Sequence, residues 1–235
     1  MPEPRKPLVM GAEPRLPLPT ARDLVSAFAA LTPLPWPRPG VQSEAFARAA
    51  LFFPLVGLTA GTVLVAVQHL AALLCPEWVT VLLVVLTWTV ITLPSTELSP
   101  HGWRRLAVVL LFLLVKTGLL LSVGNGRGLA LLLAPLLGRW SLVVLAIGAR
   151  SAGEANRKFN PAITFREFGW TSVFTGAVLA GCADAVGILI FVAAAAVALS
   201  LRLLCHRLLG GVSWPALCVC VHVVETLLLA AFAAL

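Results

Sequence analysis

The chain has 235 residues, 60% of them hydrophobic and only 11% charged, with a mean hydropathy of +0.98. Soluble domains carry about 25% charged residues, so the composition excludes an ordinary soluble domain. It specifies an all-α, polytopic integral membrane bundle of about 5–7 transmembrane helices. The net charge of +7 falls mostly between apolar stretches, where the positive-inside rule accounts for it. Those cations also suit phosphate esters, and no nucleic-acid partner is expected.

Residues 1–20 hold Pro2, Pro4, Pro7, Pro14, Pro17 and Pro19. Proline lacks an N–H and biases its predecessor toward extended geometry. This tail reads as disordered and cytoplasmic, with no cleavable signal peptide, and residues 21–235 as a single membrane domain. Ala21 to Leu34 is too short to span and suits an interfacial helix that stops at Pro33. Pro33, Pro35, Pro37 and Pro39 then impose an extended segment with Trp36 and Arg38.

The first span is expected from Ala49 to Leu74, kinked at Pro54, with Gly57 and Gly61 offering a face for close helix contact. Cys75 to Trp78 makes a short outer turn, and Val79 to Leu93 a short second span. The loop Pro94 to Arg105 carries Glu97, His101, Arg104 and Arg105, which place it on the cytoplasmic side. The third span, Leu106 to Leu121, contains Lys116, which either snorkels to an interface or faces inward.

Gly124, Gly126 and Gly128 form an outer turn around Arg127. Gly128 to Arg150 is then the helix around which the rest is expected to pack. It holds Pro135, Gly138, Arg139 and Trp140 near its middle. A cation at that depth costs about 3 kcal/mol on insertion scales, so Arg139 must face helices, a wet cavity, an anionic ligand or a buried carboxylate. Arg150 to Arg166 is the most polar stretch and lies inside by its charge.

Trp170 to Leu201 is longer than one span needs, and Gly181 to Gly187, with Asp184, marks a break that would pair two half-segments and return Arg202, His206 and Arg207 to the inside. The last span, Ser213 to Leu235, carries His222 and Glu225 on one helical face. Cys75, Cys182, Cys205, Cys218 and Cys220 form no CxxC pair and read as small buried apolar residues.

Several of these pieces, in order, resemble the cobalamin synthase family, the membrane-embedded adenosylcobinamide-GDP ribazoletransferases. FAALTPLPWP, Phe28 to Pro37, is similar to the family's opening helix and turn. Phe53-Pro54-Leu55-Val56-Gly57 with Gly61 matches FPL-x-G-x-x-x-G, and LLVKTGLLL around Lys116 matches a lysine-bearing span. Ala134, Pro135, Arg139 and Trp140 match AP-x-x-x-R-W, followed by Ala149-Arg150 and later by Leu209-Gly210-Gly211. The likeness runs from about residue 21 to the end.

The resemblance implies phosphoryl transfer in late cobalamin biosynthesis. Adenosylcobinamide-GDP and α-ribazole, or its 5′-phosphate, would give adenosylcobalamin, or its phosphate, plus GMP. It implies Mg²⁺ held by carboxylates, with cations on the remaining charge. Arg139, Arg150 and Lys116 are the expected catalytic cations. Trp140, His101, Arg104 and Arg105 are the expected substrate contacts, and Glu97 and Glu225 the remaining metal ligands.

The family's acidic DGLADxxD loop is missing, however. Ile91 to Leu106 contains Glu97 and no aspartate, Pro215 stands at an expected aspartate, and His222 replaces the first of two paired glutamates. Two alternatives therefore accompany the enzyme reading: an inactive corrinoid-binding or assembly partner of an active paralogue, and a small-molecule transporter using the break at Asp184. Membrane lipid, corrinoid and α-ribazole, and a homo-oligomer or active paralogue are the expected partners. The expected location is the inner membrane, with a cytoplasmic N-terminus.

Overall fold

A computed structural model describes residues 19–33, 44–92, 102–124, 126–148 and 163–234. The Pro-rich tail, most of the segment of Trp36 and Arg38, the loop with Glu97 and His101, and the stretch with Arg150, Glu154 and Arg157 lie outside the described residues. The described chain is helical: α1 (Ala21–Leu31), α2 (Glu44–Ala50), α3 (Phe53–Ala72), α4 (Glu77–Thr92), α5 (Gly102–Ser122), α6 (Arg127–Ala146), α7 (Phe165–Leu209) and α8 (Trp214–Ala234).

The centre is α6. From Ala130 to Ala146 every residue but Leu132 is buried, as expected for a helix that is apolar on all sides. Its neighbours are α3, α7 and α8, while α4 packs on α3 and α5, and α5 on α8. Outward-facing leucines and valines such as Leu70, Leu82, Leu114, Leu189 and Leu203 remain exposed. In a bilayer that surface meets acyl chains and every helix satisfies its own backbone.

The close contact of α3 with α6 follows from two glycines. A Cβ on Gly57 would fall 2.4 Å from the Pro135 carbonyl oxygen, and one on Gly61 would fall 2.4 Å from that of Leu132. Small residues here let the two backbones touch. The expectation for Pro54 needs correction. It does not kink a span from Ala49; α2 ends at Ala50, and α3 starts at Phe53 with Pro54 in its first turn. That is where a missing N–H leaves no helical hydrogen bond unmade.

The long apolar run folds back on itself. Helical geometry in α7 breaks at Ala183 and at Asp184, which has φ 48° and ψ −134°. A Cβ on Gly187 would meet the Leu179 carbonyl oxygen at 2.1 Å, so the limbs 165–182 and 185–209 run side by side. The second limb brings Arg202 Nη1 to 3.0 Å from the Val144 carbonyl oxygen, near the end of α6, where the first limb also begins. The break that the transport alternative invoked is present, but Asp184 is exposed at the hairpin tip and is not a buried carboxylate. Cys182, beside it, is also exposed, against the expectation of burial, whereas Cys205 and Cys220 are buried.

Four helices are long and apolar enough to cross a membrane: α3, α6, α7 and α8. With α7 counted as two limbs and the shorter apolar helices α4 and α5, the described residues provide seven apolar passes. The chain is an all-α polytopic membrane protein.

Helix α1 is pinned near the end where α6 finishes. The Thr20 N–H and hydroxyl both donate to Asp23 Oδ2 at 2.8 Å, an N-terminal cap. Arg48 of α2 donates to Asp23 Oδ1 at 3.1 Å. Burial alone would raise the Asp23 carboxyl, but Thr20 and then Arg48 outweigh it and hold it below the ordinary aspartate value.

Candidate functional site

Charged side chains from three helices converge beside α6. Glu225 of α8 is fully buried, Lys116 of α5 is 3% exposed and Arg139 of α6 is 2% exposed. Lys116 Nζ donates to Glu225 Oε2 at 2.5 Å, and Arg139 Nη1 donates to Glu225 Oε1. Arg139 Nη2 donates to Thr92 Oγ1, at the end of α4, at 3.2 Å. Lys116 therefore faces inward and does not snorkel.

Each approach has a local cause. Gly138 has no side chain where a Cβ would lie 2.7 Å from Glu225 Cγ, so α8 comes close enough for Glu225 to reach both cations. Lys116 Nζ also sits 4.0 Å from the centroid of the Trp88 ring, a cation–π contact that compensates part of its lost hydration. His222, one turn before Glu225, stacks on Phe112 with centroids 5.0 Å apart.

Two cations on one carboxylate leave an excess positive charge among apolar helices. In a low dielectric such a charge is costly unless an anion joins it. A small cavity of about 40 Å³ opens beside it, lined by Thr92, Arg139, His222, Leu31, Leu142 and Cys218. That is roughly room for two or three waters, or for one edge of a phosphate, and far too little for a nucleotide. Arg139 lies seven residues before the end of α6, about 10 Å deep at 1.5 Å per residue.

Of the residues singled out in the sequence, the fold brings Lys116, Arg139 and Glu225 together. Trp140 is turned elsewhere: its indole N–H donates to Ser172 Oγ at 3.1 Å and its ring packs 4.7 Å from that of Phe191, tying α6 to both limbs of α7. Arg150, His101 and Glu97 lie outside the described residues, as do the side chains of Arg104 and Arg105. Thr92 and the approach at Gly138 were not singled out. A lone threonine at a span end carries no sequence signal, and Gly138 could be valued only once its partner helix was known.

The expected Mg²⁺ does not fit the described residues. Both oxygens of Glu225 are taken by cations, and among the described residues no three His, Cys, Asp or Glu side chains come together to hold a metal. A hard divalent ion needs several oxygen ligands.

A family model described as cobalamin-5-phosphate synthase matches residues 23–93 and 102–233. An adenosylcobinamide-GDP ribazoletransferase of Roseiflexus sp. (strain RS-1) is 32% identical over 172 residues, which cover 62% of this chain and 64% of the relative. The match thus spans a little under two thirds of that relative's length. No solved structure matches the chain.

Proposed function

The chain belongs to the cobalamin-5-phosphate synthase family, and on that premise we propose that it joins adenosylcobinamide-GDP to α-ribazole or to its 5′-phosphate. The acceptor hydroxyl oxygen bonds to the cobinamide-side phosphorus. The bond from that phosphorus to the bridging oxygen breaks, GMP leaves with that oxygen, and the hydroxyl proton passes to water. Negative charge grows on the phosphoryl oxygens during this exchange, so fixed cations lower the barrier.

The observation that carries the reading is the pairing of Lys116 and Arg139 with a single carboxylate, Glu225, beside the Thr92 cavity. In this reading Arg139 receives the edge of the phosphoryl group, while Lys116 and Glu225 hold its guanidinium in place. The nucleotide and corrinoid lie outside the cavity. Arg150, Arg104 and Arg105 would serve there as further phosphate contacts. In this step Lys116 and Arg139 offset the charge that grows on the phosphoryl oxygens.

Cations cluster at the end of the bundle that the cavity faces: Arg48, Arg166, Arg202 and Arg207. The positive-inside rule supports reading that end as cytoplasmic, the side on which a nucleotide-bearing substrate would be met. Production of this chain in a bacterium lacking its own cobalamin synthase tests the reading. Formation of cobalamin from the supplied corrinoid precursor supports it, and none with a correctly inserted chain contradicts it.

One observation favours a second reading, an inactive partner of an active paralogue: the absence of a carboxylate cluster among the described residues. Cobalamin formation in a cell whose only family member is this chain would remove it.

A further inference from the structure

We infer that the cleft at the far end of the bundle from Arg139 binds the headgroup of a zwitterionic phospholipid with a primary ammonium, its phosphate on Arg127 and its ammonium on Glu77. The inference goes beyond the proposed reaction and does not depend on it.

Three helix ends build the cleft. Gly57 and Gly61 set α3 antiparallel to α6, facing Pro135 and then Leu132, so the end of α3 arrives beside the start of α6. There Gln68 and His69 of α3, Glu77 of α4, and Arg127, Gly128 and Leu129 of α6 line an open space of about 600 Å³, within the usual size of a ligand pocket. Arg127 lies twelve residues before Arg139, about 18 Å along the helix at 1.5 Å per residue, so the two sites are separate. Leu70, Leu73, Leu74 and Trp78, from the end of α3 to the start of α4, are exposed. Tryptophan favours the membrane–water interface, which sets the cleft at headgroup level, with leucines beside it for acyl chains.

The charges select the headgroup. Arg127 Nη2 donates to Glu77 Oε1 at 2.7 Å and to the Val123 carbonyl oxygen at 3.1 Å. The Glu77 side chain is 65% exposed, and ion pairs open to solvent are weak, so a ligand carrying both signs can exchange partners with this one. Two further atoms call for such a ligand. Arg127 Nε, a donor, and Gln68 Oε1, an acceptor, are buried without a hydrogen-bond partner among the described residues, whereas buried polar groups are ordinarily paired. A phosphate oxygen supplies the missing acceptor and an ammonium the missing donor, both as charge-assisted hydrogen bonds. With His69 neutral, the described lining carries one positive and one negative charge. It therefore matches a headgroup of zero net charge. An anionic headgroup or free phosphate leaves Glu77 facing negative charge, and a quaternary ammonium has no N–H for Gln68 or Glu77.

The test uses the full-length chain in detergent and native mass spectrometry. The probes are phosphatidylethanolamine, phosphatidylcholine and phosphatidylglycerol with identical acyl chains, and phosphoethanolamine without chains. The parent should retain phosphatidylethanolamine about tenfold or more over either other lipid, the worth of one hydrogen bond to a charged group. Phosphoethanolamine at equal concentration should not displace it, because the acyl chains add apolar contact at the exposed leucines. Glu77→Gln gives the cleft a net positive charge and should invert the order, with phosphatidylglycerol retained over phosphatidylethanolamine. Arg127→Gln should retain neither above the level of phosphatidylcholine. Preference is a ratio measured within one sample of intact chain, so a loss of stability in a variant does not imitate the inversion. Equal retention of the three lipids by the parent, an order unchanged in Glu77→Gln, retention undiminished in Arg127→Gln, or displacement by phosphoethanolamine would overturn the inference.

Discussion

Lys116 on α5 and Glu225 on α8 stand 2.5 Å apart across the bundle, although 109 positions separate them in the chain. With Arg139 on the other carboxylate oxygen, they form a cluster in which Glu225 is the only negative charge among the described residues. Glu225→Gln leaves two buried cations without a counter-charge and should destabilise the protein by about 3–5 kcal/mol. Lys116→Met leaves the neutral pair of Arg139 and Glu225 and should cost clearly less. Adding Lys116→Met to Glu225→Gln should recover part of the loss. Thermal unfolding of the three variants in detergent checks the order. A lysine variant as damaging as the glutamine variant would mean that net charge is not what the cluster balances.

The α3–α6 contact makes a separate prediction. Gly57→Ala and Gly61→Ala would place a methyl group 2.4 Å from a backbone oxygen, and a backbone cannot rotate away as a side chain can. Each should cost at least about 1–3 kcal/mol, the usual range for overpacking. Gly118→Ala, where no atom lies within 4 Å of the added carbon, should be neutral. Equal unfolding temperatures for Gly57→Ala and Gly118→Ala would contradict the close approach.

At the hairpin tip, Asp184 holds a positive φ in the region that favours glycine at a turn. Asp184→Gly should relieve strain and raise stability by up to about 1 kcal/mol after glycine's own entropy is counted. Asp184→Val should lower it. Gly187→Ala should be worse than either, because its Cβ would meet the Leu179 backbone at 2.1 Å.

The cap at α1 gives a pH signature. The folded Asp23 carboxyl titrates below its ordinary value, so its stabilising contribution is present above the unfolded pKa and is lost as pH falls through the folded one. Asp23→Asn should cost about 1 kcal/mol at neutral pH. The gap from the parent chain should narrow as pH drops below about 4. A gap that widens on acidification would reverse the sign of the argument.

Much of this architecture was legible in the residues. A long apolar helix with an arginine in its middle can persist only near the centre of a bundle, and α6 is there. Gly57 and Gly61 announced a close contact, and the excess length of the run from Trp170 with its glycines announced the fold-back. What could not be read was lateral partnership. Whether Lys116 snorkels or turns inward depends on where α8 places Glu225, a relationship that spans most of the chain. Pro54 was ambiguous because proline suits a helix start as well as a kink, and the two-residue turn before α3 decides it. Asp184 read as intramembrane because hydropathy cannot distinguish the middle of a run from the tip of a hairpin. The resemblance implied Trp140 as a substrate contact; residues adjacent in sequence point to different sides of a helix, and the Trp140 indole N–H donates to Ser172.

The central claim, that the buried cations of α5 and α6 serve phosphoryl transfer, is tested most directly by incubating the purified chain with adenosylcobinamide-GDP and either α-ribazole or its 5′-phosphate. GMP and corrinoid product are then measured together for the parent and for Arg139→Lys. Equal amounts of GMP and product from the parent are expected, with turnover reduced about 100-fold or more in Arg139→Lys, which keeps the charge but loses the fork that spans Glu225 and Thr92. No product from the parent with either acceptor, or undiminished turnover in the variant, would contradict the account.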